Sequence, residues 1–423
     1  MITEDFVSLG IGAPVCRALA DIGYQHPTPI QSQAIPAVLN GEDLLGIAQT
    51  GTGKTAAFAL PIIECLTANG FKAQSRQPAA LILAPTRELA AQIHAEVASF
   101  ARHTRLRHTC IFGGVGQNPQ VKALSRGVEI LVATPGRLLD LAEQGRVDLG
   151  EVSHLVLDEA DRLLDMGFIR DVKKIIRRLP RVRQSLLFSA TMPREVADFA
   201  AEILNSPVRV DVSPKKVTVE QIEQGVLMIG NDRKQAALQQ LLHEPGVSRA
   251  IVFTRTKHGA NRVAQKLDRA GIAAEAIHGN KSQNARTRAL ESFKAGNVWV
   301  LVATDIAARG IDIDGISHVI NFELPHEPES YVHRIGRTAR AGASGVAWSL
   351  VDPTEVKRLK AIERLTKVRP AQLELVVTDA GTASDEQSTG QGTERPKQVA
   401  DAGADSQQPS RRRRRRPRRR KAA

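Results

Sequence analysis

The chain has 423 residues, 42% apolar and 24% charged, and carries a formal net charge of +13. That length is about twice what one hydrophobic core organises, so two domains are expected, and the composition excludes collagen-like, disulfide-rich and wholly disordered chains. Its longest apolar runs, such as Ala79–Ala84 and Val298–Ala303, fall far short of the roughly 20 residues that a membrane span needs.

The first residues, MITEDFVSLG, place no basic stretch before an apolar one, so no secretory signal is expected. Cys16, Cys65 and Cys110 are scattered and odd in number. They suit neither a disulfide framework nor a zinc site, and a reducing, cytoplasmic setting follows.

Up to about residue 210, short apolar strands alternate with helix-period segments. Strands are predicted at 43–47, 80–83, 130–133, 155–157 and 185–188. Their continuous apolarity implies burial on both faces, as in a parallel sheet of an α/β domain. Residues 211–218 (DVSPKKVT) are polar and contain Pro214, a linker signal. The alternation then resumes, with strands predicted at 250–253, 273–277, 299–303, 318–322 and 345–350. The expected domains are therefore 1–210 and 219–377. From 378 onward Gly, Ser, Thr, Gln and Asp dominate without hydrophobic period, which predicts a disordered tail. It ends in RRRRRRPRRRK at 411–421, ten basic groups suited to a polyanion.

The strongest local signal is Ala48-Gln49-Thr50-Gly51-Thr52-Gly53-Lys54-Thr55, between a predicted strand and a predicted helix. Gly51 and Gly53 let successive N–H groups curl into one concavity for phosphate oxygens. Lys54 would neutralise the β- and γ-phosphates, and the Thr55 hydroxyl would help hold Mg²⁺. Ala48 stands where the strict pattern has Gly, which leaves the cradle itself intact. A plain Gly-rich turn is the alternative.

The segment Val152–Asp161, which contains the strand predicted at 155–157, delivers Asp158, Glu159 and Asp161 to the edge where α/β proteins bind ligands. Asp158 is placed to anchor the magnesium shell and Glu159 to orient and deprotonate an attacking water. The same acids could instead be a helix N-terminal pair.

With AQTGTGKT and DEAD in this order, the chain resembles the DEAD-box family of ATP-dependent RNA helicases, and within it the bacterial RhlE-like branch. The resemblance runs from about Phe6 to about residue 370 and implies two tandem RecA-like domains. It maps a nucleotide-reading motif onto Gly23-Tyr-Gln-His-Pro-Thr-Pro-Ile-Gln31, with Phe6 as the aromatic stacked on the base. A Gln31 amide could accept from adenine N6 and donate to N7, favouring ATP over GTP. Without the family, Phe6 is an ordinary core aromatic and Gln31 a solvated helix residue.

The resemblance also implies one side of a single-stranded RNA path at Arg87, Gly114 and Thr134-Pro135-Gly136-Arg137. The other side falls at Thr254, Gln283, Arg286, Thr304 and Asp305. Ser189 and Thr191 match a coupling motif whose hydroxyls link the acids, Asp161 among them, to the opposite domain; a cap or turn is the bland alternative. No GK[ST] recurs in the second half, which suggests that this half completes the first domain's site. There Arg337 and Arg340, three apart on one helix face, suit a γ-phosphate in the arginine-finger role. A solvated basic helix would look the same. His333 and Arg334 would bridge to the acids, and Asp312 would reach the ATP ribose.

The function implied is ATP-dependent separation of short RNA duplexes, with ATP, Mg²⁺ and RNA bound between two domains and hydrolysis resetting the enzyme. An ATP-gated RNA clamp or RNP remodeller would carry the same motifs, and a DNA translocase is a third reading. Ribosomal and RNA-decay complexes are family-level partners. The Arg-rich end would add phosphate contacts without reading sequence.

Overall fold

The computed structural model describes residues 6–49, 51–212, 222–305, 315–339 and 344–375. Residues 1–378 group as one compact unit. Within it, the first lobe is built on seven parallel strands: β1 (Leu44–Ile47), β2 (Ala80–Leu83), β3 (His108–Ile111), β4 (Ile130–Ala133), β5 (His154–Leu157), β6 (Gln184–Ser189) and β7 (Val208–Asp211). The second lobe uses β8 (Ile222–Met228), β9 (Ala250–Phe253), β10 (Ala274–Ile277), β11 (Val300–Ala303), β12 (His318–Asn321), β13 (Gly345–Val351) and β14 (Ala371–Gln372).

The sheets run in the order β3-β4-β2-β5-β6-β1-β7 and β10-β11-β9-β12-β13-β8-β14. Adding seven to each strand of the first order gives the second, so one topology occurs twice. Every pairing is parallel. Alternate residues of each central strand enter opposite cores: Ala80 and Ile82 join one apolar cluster, Leu81 and Leu83 the other. That two-sided burial is why these strands read as unbroken apolar runs.

The central strands match the sequence expectation to within a residue or so. Four strands were not predicted. β3, β7 and β14 are partly exposed edges, and their polar residues (His108, Thr109, Arg209, Asp211, Gln372) break the apolar run. β8 carries Glu223 and Gln224 beside the expected linker. Asp211, the first residue of the expected linker, lies in β7 and pairs with Ile47. Most of that linker, and the tail from 378, lie outside the described residues.

Strand order sorts the loops. β5, β6 and β1 are neighbours, so the segments after them, which carry the acids, Ser189-Ala190-Thr191 and the phosphate loop, meet at one sheet edge. Close approach is needed there: a Cβ on Gly46 of β1 would lie 2.5 Å from the Phe188 ring of β6. β3, β4 and β2 form the other half, and their loops carry Gly114, Thr134–Arg137 and Arg87. The second lobe repeats this, with Gln283, Thr304 and Thr254 after the contiguous strands β10, β11 and β9.

Candidate active site at the lobe boundary

The phosphate loop leads into the helix Lys54–Ala68, with Gly53 at its start in the left-handed region at φ 88°. The loop is latched from outside. Gln31 is 1% exposed; its Oε1 accepts from the Thr28 N–H at 2.9 Å and its Nε2 donates to Gly53 O at 3.1 Å. Thr28 Oγ1 donates to Thr52 O at 2.8 Å, and Thr52 Oγ1 to Gln49 O at 2.8 Å. Each end of the Gln31 amide thus makes a protein contact, which a reading of it as an open base reader did not anticipate. Lys54 is buried, with Nζ donating to Ala48 O at 2.9 Å.

A cavity runs from the loop along the helix Arg87–Phe100, lined by Gly51, Lys54, Thr55, Asp158, Glu159 and Tyr24. Leu89, Gln92 and Glu96 complete its wall. Tyr24 is the aromatic on this cavity, whereas Phe6 is 0% exposed beneath it, ring centroids 6.5 Å apart. Phe6, expected to stack on a base, is packed in the first lobe's apolar core in this structure. Tyr24, Gln92 and Glu96 were missed. Tyr24 stands inside the Gly23–Gln31 motif, but nothing in the sequence places the body of the helix Arg87–Phe100 on the cavity.

Asp158 is 3% exposed, and burial pushes its carboxyl up to about 6; Lys54 pulls it down and Glu159 adds to the rise. Glu159 is also buried and sits in the left-handed region at φ 50°, ψ 54°. A non-glycine residue held there costs about 1–3 kcal/mol and is characteristic of functional sites. Its Oε2 lies 3.4 Å from Arg162 Nε. Asp161 Oδ2 accepts from Thr191 N at 3.0 Å and from Thr191 Oγ1 at 2.8 Å, while Ser189 Oγ donates to Thr191 O at 2.7 Å. The hydroxyls of the Ser–Ala–Thr segment thus bind an acid and a carbonyl of their own lobe.

The donor set suits Mg²⁺: Thr55 offers a hydroxyl oxygen and Asp158 a carboxylate, both hard ligands on one cavity. Among the described residues no cluster of three or more His, Cys, Asp or Glu forms a dedicated metal cage.

Across the boundary, Arg337 is 4% exposed with Nε 3.3 Å from His333 O. Arg337, His333, Ser330 and Arg334 wall a second cavity, to which the first lobe contributes Arg162. Arg334 corrects its expectation. Its Nε and Nη2 donate to the Asp305 carboxylate at 2.5 and 2.7 Å, and its Nη1 to Asn321 Oδ1 at 3.0 Å and Glu323 O at 2.7 Å. A fork filled in this way does not bridge to the acids of the first lobe. Asp305 is likewise taken up by Arg334, and a carboxylate repels a phosphate backbone. Arg340, Asp312 and Thr50 lie outside the described residues.

The candidate RNA residues sort into two groups. Arg87, Gln283 and Arg286 meet across the lobes: Arg87 Nη1 reaches Gln283 Oε1 at 3.4 Å, Gln283 Nε2 donates to Glu88 Oε1 at 2.9 Å, and Arg286 Nη2 lies 2.8 Å from Glu88 Oε2. Gly114, beside the Arg87 guanidinium, sits in the left-handed region at φ 79°, which favours glycine. Thr134 and Pro135 open the helix Pro135–Glu143, with Gly136 exposed and nothing within 4 Å of a Cβ on it. Arg137 is turned inward, to Gln120 Oε1 at 2.9 Å and Val115 O at 3.2 Å. Thr254 is 0% exposed, and Thr304 is half-buried.

Two lobes of one RecA-like topology, a single phosphate cradle and an arginine on the opposite lobe define a two-lobed P-loop nucleotide hydrolase. The DEAD/DEAH box helicase family model matches residues 28–199, and the helicase conserved C-terminal domain matches 233–342. A DEAD-box ATP-dependent RNA helicase CshA from Geobacillus kaustophilus is 45% identical over 362 residues, 86% of this chain and 76% of that one. The RNA helicase CrhR of Synechocystis is 44% identical over 367 residues, 86% and 73%. Among solved structures, S. cerevisiae Dbp5 bound to RNA and ADP BeF3 matches with TM-score 0.77 at 31% identity, covering 87% of this chain and 95% of that one. Mss116p bound to ssRNA and AMP-PNP matches at TM-score 0.76 and 29% identity, covering 89% and 80%. The chain belongs to the DEAD-box ATP-dependent RNA helicases.

Proposed function

We propose that this protein is an RNA-dependent ATPase that uses ATP to separate short RNA duplexes. One observation carries the reading: a lone triphosphate cradle on the first lobe has its catalytic acid touching Arg162, which lines a cavity shared with Arg337 of the second. A cleft split in this way is complete only when both lobes close on their ligands.

In this reading the loop N–H groups and Lys54 hold the β- and γ-phosphates, with Lys54 giving up its bond to Ala48 O. Thr55 and Asp158 would hold Mg²⁺, which would supply charge neutralisation at those phosphates. Glu159 accepts a proton from the attacking water, whose oxygen bonds to the γ-phosphorus as the bridging bond to ADP breaks. Arg337, with Arg340, meets the charge spread over the transferring group. Tyr24 offers its ring to the base. Gln31 fixes the cradle and reads the base edge with the valence that its two protein bonds leave.

RNA would run over Gly136, Thr134, Arg87, Gln283, Arg286 and Thr304. Placement in a RhlE-like branch, ribosomal or RNA-decay partners and cytoplasmic residence belong to the same reading. The free thiols of all three cysteines support the last. No described helix is long and apolar enough to cross a membrane.

Lys54→Ala should abolish RNA-stimulated ATP turnover in a phosphate-release assay, and normal turnover would refute the assignment. Glu159→Gln should bind ATP and RNA yet stall in the closed complex. A short-duplex strand-displacement assay distinguishes a helicase from a clamp.

A further inference from the structure

Residues 169–184 hold seven basic side chains and one acid, Asp171. They form the helix Ile169–Ile176 and one further turn, in which Arg177 N, Arg178 N and Leu179 N donate to Lys173 O, Ile175 O and Ile176 O. Val172, Ile175 and Leu179 fall on one side and enter the first lobe's apolar core. That spacing fixes which side faces out. Arg170, Lys174, Arg177, Arg178 and Arg181 recur every three or four residues along the outer side, and all five are exposed.

The other two cations are engaged elsewhere. Lys173 Nζ meets Glu202 Oε2 at 2.5 Å, and Arg183 Nη1 donates to Pro180 O at 2.7 Å. In the outer row Lys174 lies 3.9 Å from Asp171 Oδ1. Among the described residues Arg170, Arg177, Arg178 and Arg181 make no ion pair and no side-chain hydrogen bond. The neighbouring helix Pro135–Glu143 brings two acids, Asp140 and Glu143, and Asp140 is already held by Arg137 at 3.6 Å and by Gln144 Nε2 at 2.8 Å. Uncompensated guanidiniums side by side repel one another and suit a chain of phosphates, whose oxygens match the planar fork.

The place of this row in the fold says which phosphates. Its helix lies between β5 and β6, which are parallel neighbours. The chain therefore descends from the sheet edge that carries Asp158 and Glu159 to the opposite edge, where Arg181 precedes Gln184 of β6. On the way it packs against the helix Pro135–Glu143, whose first turn holds Pro135 and Gly136 of the proposed RNA path. From Arg170 to Arg178 the row extends about 12 Å at a helical rise of about 1.5 Å per residue.

We propose that this row binds the backbone of RNA that continues beyond the cleft, along the flank of the first lobe. The inference rests on the reading that RNA crosses the lobe boundary at Gly136 and Arg87. The row meets phosphates and reads no bases, so its contribution is independent of sequence. A strand held there stays with the enzyme when the cleft opens after hydrolysis.

The test uses the full chain, the non-hydrolysable nucleotide AMP-PNP, and two single-stranded RNAs of about 10 and about 40 nucleotides, titrated by fluorescence anisotropy at several salt concentrations. In the Arg177→Ala, Arg178→Ala, Arg181→Ala triple variant, affinity for the longer RNA should fall about tenfold. Its slope of log affinity against log salt should flatten by about 2, at about 0.7 for each lost contact. Affinity for the shorter RNA, and the ATP turnover it stimulates, should stay within about twofold of the wild type. Lysines at the same three positions should restore most of the affinity and the slope, because a phosphate backbone responds first to charge. A benzophenone amino acid placed at Val182, which is 92% exposed next to Arg181, should crosslink to the longer RNA and not to the shorter one.

The surface is overturned if the triple variant keeps its affinity for the longer RNA, the result expected were the row to serve an acidic protein. It is overturned equally if both RNAs weaken together, since the row would then support the cleft itself. A wild type that binds the longer RNA and ignores the shorter one would sink the cleft reading. A wild type that binds both, with no crosslink from Val182, sinks this surface alone.

Discussion

Arg334, 1% exposed, shares two hydrogen bonds with Asp305 and stacks its guanidinium 5.0 Å from the centre of the Phe253 ring. Removing one member of such a pair strands a buried charge, so Asp305→Asn should destabilise the chain by about 3 kcal/mol in urea unfolding. A mere RNA contact at Asp305 would leave unfolding unchanged and alter only RNA affinity. The Gln31 latch makes a different prediction. Its two hydrogen bonds, worth about 1 kcal/mol each, tie Thr28 to Gly53 of the cradle, so Gln31→Ala should raise the KM for ATP by about tenfold or more. The motif was legible as Gly23 to Gln31; that its amide binds the phosphate loop depends on Gly53 lying 22 residues away in sequence yet within bonding distance.

The helix Arg87–Phe100 spans three regions. Its first residues enter the cross-lobe cluster, its middle walls the nucleotide cavity, and its His94 Nε2 meets His108 Nδ1 of β3 at 3.0 Å. Burial holds both imidazoles below their usual range, and for His94 the neighbouring ring adds to this. A histidine depressed in the fold binds protons more readily when unfolded, so its share of stability is present above about 6.5 and lost as pH falls below that. The urea midpoint of the wild type should therefore drop more steeply from pH 7 to pH 5.5 than that of a His94→Gln, His108→Gln double variant. Parallel curves would show that the pair plays no part in the pH dependence. The helix Lys234–Leu242 shows how a repeated element changes its use. It begins after β8 as the phosphate-loop helix begins after β1, and each opens with a buried lysine. Lys234 Nζ donates hydrogen bonds to Glu355 Oε2 at 2.6 Å and Phe322 O at 3.0 Å, so it serves the second lobe's packing. The missing GK[ST] foretold that difference.

Across the whole molecule, the contacts described between the lobes include those of Glu88, which meets both Arg286 and Gln283, and of Arg87, which reaches Gln283. Arg286 is largely buried, and burial pushes its guanidinium down while Glu88 holds it up. Glu88→Gln should therefore weaken closure and raise the RNA concentration for half-maximal ATPase stimulation by about tenfold. An unchanged RNA titration would assign closure to other residues. The Arg-rich end at 411–421 lies outside the described residues, and its ten basic groups are proposed to add phosphate contacts to bound RNA. Its removal should flatten the salt dependence of RNA binding by about 0.7 in logarithmic slope for each phosphate that it no longer neutralises.

The order of residues alone settled the two-domain plan, the central strands, the single phosphate loop and its acids, because each is a local pattern: an unbroken apolar run, glycines at a turn, charges at a strand end. Folding decided how the polar groups are shared out. Tyr24 rather than Phe6 faces the cavity, Arg334 is taken by Asp305, and Arg162 acquires an unmatched donor between two lobes. Those outcomes turn on which side chains arrive within about 3 Å of one another and lose their water, and such distances between remote residues are set only when the strands stack in the order β6-β1-β7 and its repeat.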